Sequence, residues 1–205
     1  YHDMPGYPGL PTAQITRLFT IPMHGFNVCE LRLHTHVGTH MDAPLHFEEY
    51  GKPLNEILVE DLIGEAAIVD LTYKKPKEGV TASDLEEHGK HVKQGDIVVL
   101  NTGWYKKRGF NSGWQLNFPH LTKESAEWLV NKMVKAVGID TVAIDMYGSK
   151  DFPAHHTLFR ANIYVIEELT NLDKIEGNRF FISIMPLNIV DVEASPARAV
   201  ALEFE

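Results

Sequence analysis

Alternation of apolar and polar residues comes first along the chain. In "FNVCELRLHTHVGT" (26–39), Leu31, Leu33, Thr35 and Val37 fall on one side and Arg32, His34 and His36 on the other, with Val28 out of phase. This period of two predicts a strand with one apolar face. Further short blocks, "EAAIVDLT" (65–72), "GDIVVLNTG" (95–103), "DTVAIDMYG" (140–148), "NIYVIEEL" (162–169) and "RFFISIMPL" (179–187), are rich in Val, Ile and Phe. They predict strands, several of them buried on both faces. A different period appears in "LTKESAEWLVNKMVKAVG" (121–138), where Ala126, Leu129, Val130, Met133, Val134 and Val137 recur at helical spacing. Thr122 is its N-cap and Gly138 its end, so a helix is predicted between them. Shorter helices are predicted after Thr81 and before Arg160. Strands and helices thus alternate in the second half while the first half is mostly extended, which is an α/β pattern with a mixed sheet.

Composition narrows the function classes. The chain has 205 residues, 44% of them hydrophobic, and shows no repeat, low-complexity segment or linker-like shift in composition. One domain spanning 1–205 is expected. With Lys plus Arg at 19 and Asp plus Glu at 28, the net charge of −9 opposes binding to phosphate backbones or anionic lipid. Neither nucleic acid nor membrane is expected as a partner. The opening "YHDMPGYPGLP" has neither the basic nor the apolar region of a signal peptide. Cys29, the only cysteine, cannot form an internal disulfide, which fits a cytoplasmic location. Its place in a strand predicts a small buried side chain.

The densest chemistry lies in "HVGTHMDAPLH" (36–46). Pro44 and Gly38 disfavour a helix there, so strand followed by turn is predicted. In an extended chain His36, His40 and Asp42 share a face. Two imidazoles and a carboxylate suit Zn or a similar divalent ion with coordination positions left open, and Zn, Mn and Fe all accept such a set. Gly38 lets the backbone turn close to the ion, and Thr39 is placed to bond a ligand. His46, just past the proline turn, is read as a histidine that does not ligate and instead moves a proton to or from water at the ion.

These residues resemble a known family. H-x-G-T-H-x-D-x-P-x-H, matched here by His36, Gly38, Thr39, His40, Asp42, Pro44 and His46, is similar to the signature of the cyclase family of metal-dependent hydrolases, which includes bacterial kynurenine formamidase and isatin hydrolase. "MPGYPG" (4–9) and "ASPARAVAL" (194–202) resemble the family's two ends. The resemblance implies a swivelling β/α/β domain with a mixed sheet, a homo-oligomer (dimer or tetramer), and a second metal segment in "AHHTLFRANIYVIEEL" (154–169). Counting from either histidine of that segment reaches a glutamate twelve residues on, giving His155 with Glu167 or His156 with Glu168. The residues alone leave both registers open. The family ligand is the first histidine, which implies His155 and Glu167.

The expected set is therefore His36, His40, Asp42, His155 and Glu167 as ligands of one or two divalent ions, Zn first and Mn second, with the two carboxylates as bridges and His46 as the catalytic residue. Tyr7, Phe47 and Trp104 are candidate substrate contacts, although Tyr7 stands where kynurenine formamidase has tryptophan. His34 is read as structural or solvent-facing. The implied function is a metal-dependent amidohydrolase in which hydroxide formed at the ion attacks an aryl formamide, such as N-formylkynurenine, or a cyclic amide. The rivals are a metal-dependent lyase or lactone cyclase, and a non-catalytic metal-dependent binding protein for small molecules.

Overall fold

The computed structural model describes residues 1–203. Strands β1 (Gln14–Phe19) and β2 (Val28–Arg32), joined through a single helical turn α1 (Ile21–His24), make an antiparallel hairpin. Then follow β3 (His40–Asp42), β4 (Ile63–Asp70), β5 (Gly79–Val80), α2 (Ala82–His88), β6 (Ile97–Asn101), α3 (Ser112–Leu116), β7 (His120–Leu121), α4 (Lys123–Asn131), β8 (Ala136–Ile139), α5 (Pro153–Arg160), β9 (Tyr164–Glu167), β10 (Arg179–Pro186) and β11 (Ala194–Leu202).

Seven strands close into a barrel in the order β10-β11-β3-β9-β8-β6-β4, with β4 returning to β10. The four strands β4, β6, β8 and β9 run parallel, and β3, β11 and β10 complete the ring antiparallel. The mixed α/β architecture expected from the alternating blocks is therefore present.

Alternation along the parallel strands separates two apolar layers. Ile97, Val99, Tyr164 and Ile166 point into the barrel with Met41, Phe180 and Ile182. Val98, Leu100, Val137, Ile139 and Val165 point outward and pack under Leu85 of α2, Leu129 of α4, and Leu158 and Phe159 of α5. Strands covered on both faces lose their polar face, which is why these blocks read as continuous apolar runs. The crossover helices are capped by side chains, at Thr122 as expected. Thr81 and Asp84 form a reciprocal capping box on α2, and the Thr122 hydroxyl accepts from the Ser125 amide at the start of α4.

Three expectations fail. The helix starting after Thr122 ends at Asn131 rather than Gly138, because Met133 takes a left-handed φ of 54° and Ala136–Ile139 forms the strand between β6 and β9. Val134 and Val137 have helical spacing by coincidence, since a buried parallel strand is apolar in every phase. The strand expected over 140–148 is accordingly absent, and those residues form the loop leaving β8, buried from Asp140 to Asp145. The strand expected through 26–39 stops at Arg32. Its supposed core side is open, with Leu31 60% exposed, and Cys29 is exposed rather than buried.

Candidate metal centre

β3 lies between β9 and β11, with His40 opposite Glu167 and Asp42 opposite Val165. Met41 enters the barrel core, so the side chains on either side of it, His40 and Asp42, take the outer face that Glu167 also occupies. α5 covers that face and contributes His155 from its first turn. His36 does not share the strand. It arrives from the turn 35–39, where Gly38 has φ 66° and Met4 lies so close that a Cβ would stand 2.8 Å from Met4 Cε. The even spacing of His36 and His40 thus predicted the right neighbours for the wrong reason: a glycine-bearing turn brings His36 back, and the pleat does not.

The donor atoms converge. His40 Nε2 is 3.4 Å from Asp42 Oδ1 and 3.4 Å from Glu167 Oε2. His155 Nε2 is 3.3 Å from Glu167 Oε1 and 3.8 Å from Asp42 Oδ2, and His36 Nδ1 is 2.9 Å from Asp42 Oδ1. Each carboxylate therefore turns one oxygen toward His40 and the other toward His155.

A divalent ion suits this arrangement on two counts. Nε2 of His40, Nε2 of His155 and both oxygens of Asp42 are buried without a hydrogen-bond partner, a costly condition for four polar atoms unless something binds them. Tetrahedral ligands bonded at ~2.0–2.2 Å also stand roughly 3.3–3.6 Å apart, close to most of these separations. The remaining ring nitrogens are held, His40 Nδ1 by the Gly38 carbonyl at 2.7 Å and His155 Nδ1 by Asp145 Oδ2 at 2.6 Å. A proton fixed on Nδ1 leaves the Nε2 lone pair for an ion.

Electrostatics point the same way. Burial works against charge on His40, but Asp42 and Glu167 outweigh it and raise its pKa to about 9. His155 is likewise raised against burial by Asp145, Asp42 and Glu167. Burial opposes ionisation of Asp42 as well, yet the surrounding His40, His155 and His36 hold its carboxyl well below the usual range. The pocket is built for positive charge. His46 behaves differently: burial, which the opposing charges around it do not offset, pushes it down to about 4.

His46 packs against His36, with ring centroids 4.2 Å apart, and against Phe47 at 4.3 Å. It lies with His36 and Asp42 in one group whose donor atoms fall within 4.8 Å, so its position suits either a proton carrier beside an ion or a ligand. His156 and Glu168 point elsewhere. His156 Nδ1 bonds Glu48 at 2.6 Å, and Glu168 pairs with Arg108 at 2.5 Å.

The centre opens into a cavity of about 620 Å³ whose walls include Tyr7, Phe47, Val142, Met146 and Phe152. Tyr7 is carried on a segment held by Arg108, which donates to the Pro5 carbonyl, and by Gln115, which donates to that of Gly6. Phe47 stands 4.5 Å from the His155 ring. Trp104 does not reach the cavity. It is 3% exposed, packs with Trp114, Phe118 and Val142, and donates its indole N–H to the Trp114 carbonyl, so it supports the wall from behind. His34, expected to be structural or solvent-facing, lines the cavity.

Asp145 escaped sequence reasoning. It accepts from the Ala154 and His155 amides and from the His155 ring, capping α5 and aiming its histidine at once. An acid ten residues before a helical histidine was the available signal.

A family model described as "Putative cyclase" matches residues 1–146. The chain belongs to the Cyclase family. It is 30% identical to kynurenine formamidase of Bordetella pertussis over 204 residues, which is 98% of this chain and 93% of the relative. Among solved structures, a predicted metal-dependent hydrolase from Bacillus stearothermophilus is 30% identical and superposes with a TM-score of 0.81 over 98% of this chain and 93% of that one. An isatin hydrolase bound to the product analogue thioisatinate is 25% identical, with a TM-score of 0.88 over 95% and 83%. The chain is thus similar both to a kynurenine formamidase and to an isatin hydrolase.

Proposed function

We propose that this protein is a metal-dependent amidohydrolase that cleaves an aryl formamide resembling N-formylkynurenine, or a cyclic amide. One observation carries the reading: four buried, unpartnered donor atoms on His40, Asp42 and His155 converge at the floor of a largely apolar cavity. His36, His40 and Asp42 would hold one ion, with Asp42 and Glu167 shared with a second ion held by His155. Zn is the first choice and Mn the second. When bound, such an ion supplies a Lewis acid that acidifies water and polarises a carbonyl.

The chain's own residues supply the rest. Phe47 and Phe152, with ring centroids 4.7 Å apart, and Tyr7 line the cavity and offer walls against which a flat aryl group can lie. At about 620 Å³ the cavity falls within the ~300–1,000 Å³ range of small-molecule sites. His46 Nδ1 and Nε2 are the atoms available to take a proton from the attacking water and return it to the departing nitrogen. Asp145 and the Gly38 carbonyl keep His155 and His40 from rotating. A second reading, in which His46 ligates, is favoured by its place in the group with His36 and Asp42.

The same reading extends to the whole chain. Residues 1–205 act as one domain, supported by two apolar layers on the two faces of one closed sheet. Self-association through the hairpin accounts for its apolar surface. Ile15, Leu18, Ile21, Met23, Phe26 and Leu31 are all exposed there, and a two-stranded hairpin is marginal in water alone. The hairpin carries Arg17 and Arg32 against one acid, Glu30, in a chain of net charge −9, so a second copy offers it an oppositely charged face. No helix among the described residues is long and apolar enough to cross a membrane. The exposed thiol of Cys29 is compatible with the reducing cytoplasm.

The test is a rate panel of aryl formamides, cyclic amides and lactones on metal-analysed protein. Formamide or cyclic-amide turnover that tracks metal content supports the reading. Turnover confined to the lactones, or none of either amide class by metal-loaded protein, overturns it.

A further inference from the structure

Each histidine facing the two carboxylates has its outward nitrogen held by an oxygen. The Gly38 carbonyl serves His40 and Asp145 serves His155, as described above. For His36 the ring is reversed. Nδ1 is the inward atom, 2.9 Å from Asp42 Oδ1, and Nε2 lies 3.1 Å from Glu193 Oε1. We propose that Glu193, on the rim of the cavity, is a positioning residue that fixes the tautomer of His36 and so prepares it to ligate an ion.

One ring proton decides whether His36 can ligate. With hydrogen on Nε2, His36 donates to Glu193 and keeps its Nδ1 lone pair for an ion. With hydrogen on Nδ1 instead, 2.9 Å from Asp42 Oδ1, the lone pair that an ion would use is gone. An acceptor held at Nε2 keeps that nitrogen the donor and leaves Nδ1 to the ion.

Glu193 is well placed to decide between them. The Thr35 hydroxyl donates to the same Oε1 at 2.5 Å, which fixes that oxygen on the residue next to His36. The Glu193 carbonyl accepts from the Ala43 amide at 2.8 Å, and the next residue, Ala194, pairs with Asp42 in the ladder between β11 and β3. Glu193 is thereby referenced to the strand that carries two of the other ligands. His36 needs such a tether more than His40 does, because His36 sits in a turn with no ladder of its own.

This inference rests on His36 being an ion ligand, and its test separates the two ideas. Apo protein is titrated with Zn²⁺ against a chromophoric chelator, and the nitrogens of the His36 ring are followed by NMR in the apo state at a pH high enough for the ring to be neutral. Glu193→Ala is expected to weaken Zn²⁺ binding by ~10- to 100-fold and to move the His36 proton toward Nδ1. Glu193→Gln, whose amide oxygen still accepts the ring N–H, is expected to restore most of the affinity. If Glu193→Ala does not fold, Glu193→Asp, which draws the acceptor back by one methylene, must show the same direction of change. Unchanged affinity and tautomer in the Ala or Asp variant overturn the role of Glu193. Equal loss in Gln and Ala overturns it too, since charge would then matter and a placed acceptor would not. A wild-type protein that binds no Zn²⁺ defeats the metal-centre reading itself.

Discussion

Val28–Arg32 and His40–Asp42 belong to one stretch of similarly alternating sequence, yet all five residues of the first are exposed and all three of the second are buried. The difference is what lies beside them. β2 has only β1 as a ladder partner, whereas β3 is enclosed by β9 and β11 and covered by α5. Alternation assigns residues to faces, but neighbouring elements decide whether a face becomes core, site or open surface. The chemistry of this protein is concentrated where the neighbours are most numerous, and its largest apolar exposure where they are fewest.

Removing ligands from the enclosed strand should have the greatest effect. His40→Ala or Asp42→Ala is expected to abolish both bound metal and turnover, checked by elemental analysis and rate on the same preparation. Full metal occupancy in either variant would remove that residue from the centre. The α5 pair gives the matching contrast: His155→Ala should lower metal content while His156→Ala, on the Glu48 side, should leave it unchanged.

Next in size is His46→Ala. Positioned acid–base groups contribute ~100- to 10,000-fold, so the rate should drop by that order while metal is retained. A metal-free variant would make His46 a ligand, and an unaffected rate would leave it without a role.

The hairpin should respond in the opposite manner. Burying a leucine or isoleucine contributes ~1.5–3 kcal/mol, so Ile15→Ser with Leu31→Ser should weaken self-association by roughly 100-fold or more. Sedimentation would detect this at unchanged metal content. A wild-type monomer at all concentrations would contradict the assignment of the hairpin.

The smallest signal is a proton count. Because His40 is raised to about 9, it carries a second ring proton, on Nε2, at pH 7 in the absence of an ion, and binding must displace it. Calorimetry in buffers of differing ionisation heat should show proton release at pH 7 that declines as pH passes 9. No release at pH 7 would contradict the strongly anionic surroundings described for His40.

Legibility in the sequence followed the same divide. The buried parallel strands, the helix after Thr81 and the cap at Thr122 were readable because local chemistry and tertiary context agree there. The boundary between α4 and β8 was not, since Val134 and Val137 fit both periods and only the neighbouring strands settle which applies. Within the centre, His36, His40 and Asp42 stood out by density, and His155 was separated from His156 by resemblance alone. Asp145 and Glu193 were invisible as site residues, because each acts by touching a histidine brought near by folding. Trp104 was misplaced for a related reason: the end of a strand can face a cavity or the core behind it, and sequence does not say which.

The central claim, that water is the nucleophile and an amide carbonyl its target, is tested most directly by turnover in isotopically labelled water. Hydrolysis predicts one solvent oxygen in the released formate or ring-opened carboxylate, in amount equal to product formed. Product without label from an otherwise active, metal-loaded enzyme would contradict the account and point to elimination or internal cyclisation.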